Sequence, residues 1–159
     1  MSFVPQIAYF DSCANLKCSS TYKRGIRVLN SRKQVLLQDE ITTTGPMMWR
    51  MHTNATVTVN GASATLTLDG QTMTMQILAP PGGAVFATGP AQRFANDPQL
   101  PPNQVDQPND GVTVVSISLP AGTYNLQVLF NPQWPGMSSS DFTTPSTVAL
   151  SSWSLDSHP

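Results

Sequence analysis

The chain has 159 residues, a size that fits one domain able to bury a core without a metal or disulfide. Only 11% of the residues are charged, against a usual figure of about 25%, so Ser, Thr, Asn and Gln must form much of the surface. A net charge of −1 supplies no global field toward nucleic acid or membrane, and no apolar run is long enough for a transmembrane helix.

Residues 1–21 read as an N-terminal segment, and residues 22–159 as the folded domain. Met1 to Phe10 is short and broken by Pro5, unlike a signal peptide. The chain is therefore expected to be intracellular, or to come from a larger precursor that lost its front end. The polar, charge-poor composition favours the second route and an extracellular location. Cys13 and Cys18 have a spacing that closes a small disulfide loop in an oxidising compartment, and two free thiols are the competing reading. Six of the eight basic residues fall in one stretch: Lys17, Lys23, Arg24, Arg27, Arg32 and Lys33. Such a cluster is either a protected edge strand or a patch for a polyanion such as a uronic-acid or sulfated glycan.

Strand signals then recur along the chain. Ile26 to Leu29 and Val35 to Leu37 flank a turn-like Asn30-Ser31-Arg32-Lys33. Trp49 to His52 starts a further strand. Ala55 to Asn60 alternates with period two, placing Thr56 and Thr58 opposite Val57 and Val59. Asn60-Gly61 and Asp69-Gly70 are strong hairpin signals, so Ala64–Leu68 and Met73–Ile77 should complete a three-stranded meander. After a short Val85-Phe86 strand, residues 89–111 are rich in Pro, Asn, Gln and Asp and predict a long loop of the kind that is usually functional or mobile. Val112–Leu119 and Thr123–Phe130 form the next hairpin around Pro120-Ala121-Gly122, and Val148–Leu155 should be a last strand. About ten short strands, each with one buried face, predict an all-β fold: a single antiparallel β-sandwich.

Catalytic patterns are scarce. No Gly-x-Ser-x-Gly elbow, phosphate loop or dinucleotide fingerprint occurs. Asp39 and Glu40 are adjacent, so in a strand they point to opposite faces and cannot share one glycosidic bond. The two histidines are His52 and His158. Asn54-Ala55-Thr56 is a glycosylation sequon at Asn54. Trp49, Arg50 and His52 sit close together in sequence. Either they offer a ring to stack on sugar and a guanidinium for carboxylates, or Trp49 fills the core and His52 is hydrogen-bonded.

Three stretches together resemble a known family: Tyr22-Lys23-Arg24-Gly25-Ile26-Arg27, Val35-Leu36-Leu37-Gln38-Asp39-Glu40-Ile41, and Trp49-Arg50-Met51-His52-Thr53. They are similar to the C-terminal β region of heparinase II/III-type polysaccharide lyases, in particular fungal ones. Val148-Ala149-Leu150-Ser151-Ser152-Trp153-Ser154-Leu155 is similar to the end of those chains. The resemblance covers the chain from about Tyr22 onward. It implies a β-sandwich that normally follows a helical toroid, and a β-elimination at a uronic acid whose main proton-transfer residues lie on or beside that toroid. This chain carries no toroid, so it is expected to be no complete enzyme by itself, with no catalytic residues of its own.

The resemblance further implies a metal held by a His, an Asp and a second His. Asp39 and His52 match two of these positions, but no His occurs near Tyr22 to Arg24. The expectation is therefore no resident cofactor, with at most a vestigial zinc or calcium site. Alternatively, Lys23 or Arg24 pairs with Asp39 in place of the metal. The expected function is an accessory module binding acidic polysaccharide through Lys23, Arg24, Arg27, Trp49, Arg50 and His52, with neither nucleic acid nor membrane as partner. The alternatives are a stand-alone, lectin-like or immunomodulatory fungal protein, expected as a homo-oligomer, and a structural domain bracing a missing catalytic helical domain. That last reading predicts an exposed apolar patch.

Overall fold

A computed structural model describes residues 20–80, 83–93, 97–106 and 108–153. Among them are nine strands: β1 (Thr21–Leu29), β2 (Gln34–Thr43), β3 (Met47–Thr53), β4 (Thr56–Asn60), β5 (Ser63–Leu68), β6 (Gln71–Ala79), β7 (Phe86–Pro90), β8 (Thr113–Leu119) and β9 (Gly122–Pro132). Every pairing is antiparallel. One sheet has six strands in the order β1-β2-β9-β6-β5-β4, and the other three in the order β3-β8-β7. The two form a β-sandwich.

The meander β4–β5–β6 follows from period-two patterning and its turns. Gly61 has φ 57°, and Asp69 and Gly70 have φ 50° and 75°, the left-handed geometry that tight hairpins need. The threonines share one face across these strands, in the registers Thr56–Thr67–Thr72 and Thr58–Thr65–Thr74. The opposite face supplies Ala64, Leu66, Met75 and Ile77 to the core. Across the sandwich they meet Trp49, Phe86, Val115, Ile117 and Leu119 from the small sheet.

The centre of the large sheet is buried on both faces. Leu126 and Val128 face the core, while Gln34, Leu36, Gln38, Gln127, Leu129 and Asn131 face away from it and are also buried. The chain from about residue 143 to 153 lies over them as a strap. Gln34 donates to Asn131 Oδ1 at 2.6 Å and accepts from the Thr143 backbone N–H at 3.0 Å. Gln38 donates to the Val148 carbonyl at 2.8 Å and accepts from Gln127 at 2.7 Å. Leu29, Leu36 and Leu129, with Leu78 and Trp153, make a second small core under the strap.

The strap corrects one expectation. Val148–Leu155 was expected to be a strand, but residues 148–153 contain only a 3-10 turn at Leu150–Ser152. Its polar groups bond to side chains of β2 instead of to a strand ladder. Residues 154 and 155 lie outside the described residues.

One corner of the large sheet remains uncovered. Ile26 and Val28 pair with Leu37 and Val35 on the core-facing side, yet they are 63% and 51% exposed.

Candidate functional site

The six expected ligand-binding residues divide among separate places. Arg24 faces the sandwich interior and forms a fork with Asp39, Nε to Oδ1 and Nη2 to Oδ2, both at 2.7 Å. Asp39 is fully buried, so a planar guanidinium that meets both of its oxygens is the partner that best offsets its desolvation. The register explains the meeting, because Arg24 lies opposite Asp39 on β1 and β2. Of the two cations expected to pair with Asp39, Arg24 does so, and Lys23 lies on the other face beside Glu40.

Trp49 is corrected. It is 2% exposed and packs in the main core, so it offers no ring to a sugar. Arg50 and His52 lie on the opposite side of β3, on the outer face of the small sheet. Asp39 points into the sandwich while His52 points away from it, so the residues present do not fit a shared metal site. Among the described residues, no three His, Cys, Asp or Glu side chains group in a way that could hold a metal. Asn54 is exposed in the turn between β3 and β4, where a glycan can be attached. Cys13, Cys18, Lys17 and His158 lie outside the described residues.

Two surfaces carry the remaining polar chemistry. The first is the β1 edge. Lys23 and Arg27 lie on its outer face, and Arg32 and Lys33 lie in the β1–β2 turn, where Asn30, Ser31 and Arg32 take positive φ. None of these four cations forms an ion pair among the described residues. The Arg27 guanidinium sits 5.6 Å from the centroid of the Trp153 ring, and its Nε is buried without a hydrogen-bond partner. Beside Lys23 is a pocket of about 400 Å³. It is built from two cross-strand rows, Thr21–Thr42–Thr123 and Lys23–Glu40–Asn125. Glu40 Oε1 accepts from the Leu150 N–H at 2.7 Å, and Asn125 Oδ1 is buried with no partner.

The second surface is a cleft of about 760 Å³ on the outer face of the small sheet. Arg50 and His52 lie on its floor, and residues 90–93, 97–98, 106 and 108–112 form its walls. Arg50 holds Asp97 through Nη1 to Oδ2 at 3.2 Å and Nη2 to Oδ1 at 2.9 Å. Arg93 holds Asp106, with Nη2 to Oδ1 at 2.7 Å, and also donates to the Pro98 carbonyl. The hydrogen bond from Arg93, reinforced by its charge, holds the Asp106 carboxyl below its ordinary range.

Sequence reading missed Glu40, Asn125 and Trp153 at the first surface, and Arg93, Asp97 and Asp106 at the second. Glu40, Asn125, Trp153 and Asp97 join their sites through pairings distant in sequence, and Arg93 and Asp106 pair across 13 residues of irregular loop, so no short pattern marks any of them. No protein-family model matches the chain, and no curated protein matches it significantly.

Proposed function

We propose that this chain is a non-catalytic β-sandwich module that binds acidic polysaccharide along the β1 edge, and that it is related to the C-terminal β region of heparinase II/III-type lyases. The observation carrying this reading is the row Lys23, Arg27, Arg32 and Lys33, none of which forms an ion pair among the described residues. A linear polyanion can follow such a row along one strand and into its turn. The pocket beside Lys23 adds Thr hydroxyls, from Thr21, Thr42 and Thr123, for sugar hydroxyls. Relative to the sequence expectation, Arg24 and Trp49 leave the binding set because both serve the interior, and Arg50 and His52 leave it because they lie on the outer face of the small sheet.

The test is retention on immobilised heparin and on polygalacturonate across a salt gradient. The expected result is retention that falls as added salt shortens the Debye length from about 10 Å at 0.1 M toward about 3 Å at 1 M. Replacing Lys23, Arg27, Arg32 and Lys33 together with Ser should abolish it. Retention unchanged in that variant would refute the β1 edge as the site.

The exposed pair Ile26 and Val28 favours a second reading, a domain that braces a helical partner. In that case Ile26→Ser and Val28→Ser should leave polyanion retention intact and weaken association with a separately produced toroid of a fungal heparinase-like lyase. Equal association of the double variant and the native chain would exclude this role for the pair.

A further inference from the structure

The cleft on the small sheet differs in chemistry from the β1 edge. Its frame is assembled before any ligand arrives, because the Arg50–Asp97 fork ties the connection to β3 and the Arg93–Asp106 fork joins two points of the connection to each other. Beneath that cover Val114, which faces away from the main core, is only 2% exposed. Within the frame the side chains of His52, Gln92 and Asp110 form no hydrogen bond or ion pair among the described residues. An imidazole, an amide and a carboxylate thus converge on one open space. Together they present both donors and acceptors, as a ligand rich in hydroxyl groups requires.

Charge narrows the ligand further. The lining holds three carboxylates, Asp97, Asp106 and Asp110, against two guanidiniums, Arg50 and Arg93. Both guanidiniums are already forked to carboxylates. An anionic ligand would have to displace Asp97 or Asp106 and would meet Asp110. A cationic ligand would meet the two arginines. A neutral polyol hydrogen-bonds to His52, Gln92 and Asp110 without breaking either fork. The volume suits a few sugar rings, since ligand clefts span about 300–1,000 Å³.

We infer that the cleft formed by His52, Gln92 and Asp110 between the Arg50–Asp97 and Arg93–Asp106 forks is a binding site for neutral saccharide, separate from the polyanion edge. The apolar wall comes from Pro90, Pro98 and Pro108, and no Trp, Tyr or Phe ring lines the cleft among the described residues. Discrimination among saccharides comes from the hydroxyl geometry that His52, Gln92 and Asp110 accept.

The full chain, labelled with nitrogen-15, would be titrated by NMR with cellohexaose, maltohexaose and chitohexaose in turn, and with a galacturonate hexamer as the acidic probe. At least one neutral hexamer should shift the amides of residues 89–93 and 109–112 and the His52 ring, with little dependence on salt. His52→Ala and Asp110→Ala should each weaken that binding tenfold or more. Lys23→Ser and Arg27→Ser should leave it unchanged. Absence of shifts at the cleft with all three neutral hexamers would overturn the inference, as would shifts that survive both cleft substitutions. Cleft shifts produced only by the galacturonate hexamer would overturn the neutral assignment. The same spectra report the β1 edge separately through the amides of residues 23–33, so the acidic reading can fail while the neutral one stands, and the reverse.

Discussion

The sandwich covers the outer faces of its two sheets in contrasting ways. On the large sheet the strap is held by buried amides: Gln34, Gln38, Gln127 and Asn131 are at most 7% exposed and bond to one another or to strap backbone. On the small sheet the cover is held to β3 by the Arg50–Asp97 ion pair and braced internally by Arg93–Asp106, and the side chains of both pairs remain 25–50% exposed. Buried hydrogen bonds are costly to leave unmade, whereas exposed ion pairs contribute little to stability. One cover is therefore a structural layer. The other is fixed by geometry more than by energy, and it leaves room for a ligand beneath it.

Substitutions in each cover test this contrast. The largest effect should come from Gln34→Leu, which orphans Asn131 Oδ1 and the Thr143 backbone at the anchor of the strap. A loss of about 3 kcal/mol is expected, read as a lower midpoint in urea unfolding. A smaller loss would mean that water replaces the amide and that the strap is less dry than its burial suggests.

Gly25→Ala should come next. A Cβ there would stand 2.5 Å from Leu150 Cδ2 and 2.7 Å from the Trp153 ring, closer than atoms tolerate. The strap must shift, at about 1–2 kcal/mol, and Trp153 emission should move to longer wavelength. Unchanged emission would show that the ring has room that the static geometry hides.

Arg50→Ala belongs to the other cover and should cost less than about 1 kcal/mol, because its pair with Asp97 is partly exposed. Amide exchange should nevertheless quicken through residues 97–106. A global loss comparable to that of Gln34→Leu would erase the contrast between the covers.

The smallest effect is the response to acid. Asp106 is held below its ordinary value near 3.8 by Arg93, so its contribution is present above that value and disappears as pH falls through the lowered one. As pH falls below about 4 the loop amides around Asp106 should shift together with its carboxyl, while the amides of the strap's glutamine anchors stay in place. Loop amides that move near pH 6 instead would point to a different titrating group.

These contrasts also explain what sequence could reveal. The meander was legible because Thr-Val-Thr-Val, Asn-Gly and Asp-Gly act over a few residues, and β8 and β9 alternate in the same way. The two faces of Asp39 and Glu40 followed from strand geometry alone, and Arg24 was among the cations expected beside Asp39. Trp49 was not decidable, since alternation tells which residues share its face but not which face is covered. The strap was misread because Val148 and Leu150 carry strand-forming patterns while their partners, Gln38 and Glu40, lie 110 residues away. The cleft had one legible part, the long irregular stretch at residues 89–111, whose length and composition set it apart from the strands. Its clamps join Arg50 to Asp97 across 47 residues, which no short pattern encodes.

The fork between Arg24 and Asp39 has a consequence for how the chain finds its fold. The β1–β2 hairpin carries apolar residues on both sides, with Leu29 and Leu36 outward and Ile26, Val28, Val35 and Leu37 inward. Hydrophobic pattern alone therefore distinguishes poorly between neighbouring alignments of the two strands. A slip by one residue would set Asp39 against Gly25, which has no charge, or against Lys23, which cannot form a fork. Arg24 would swing to the other side, and the carboxylate would lose its paired guanidinium. The buried ion pair thus proofreads the hairpin, penalising a wrong alignment that burial of apolar surface would tolerate.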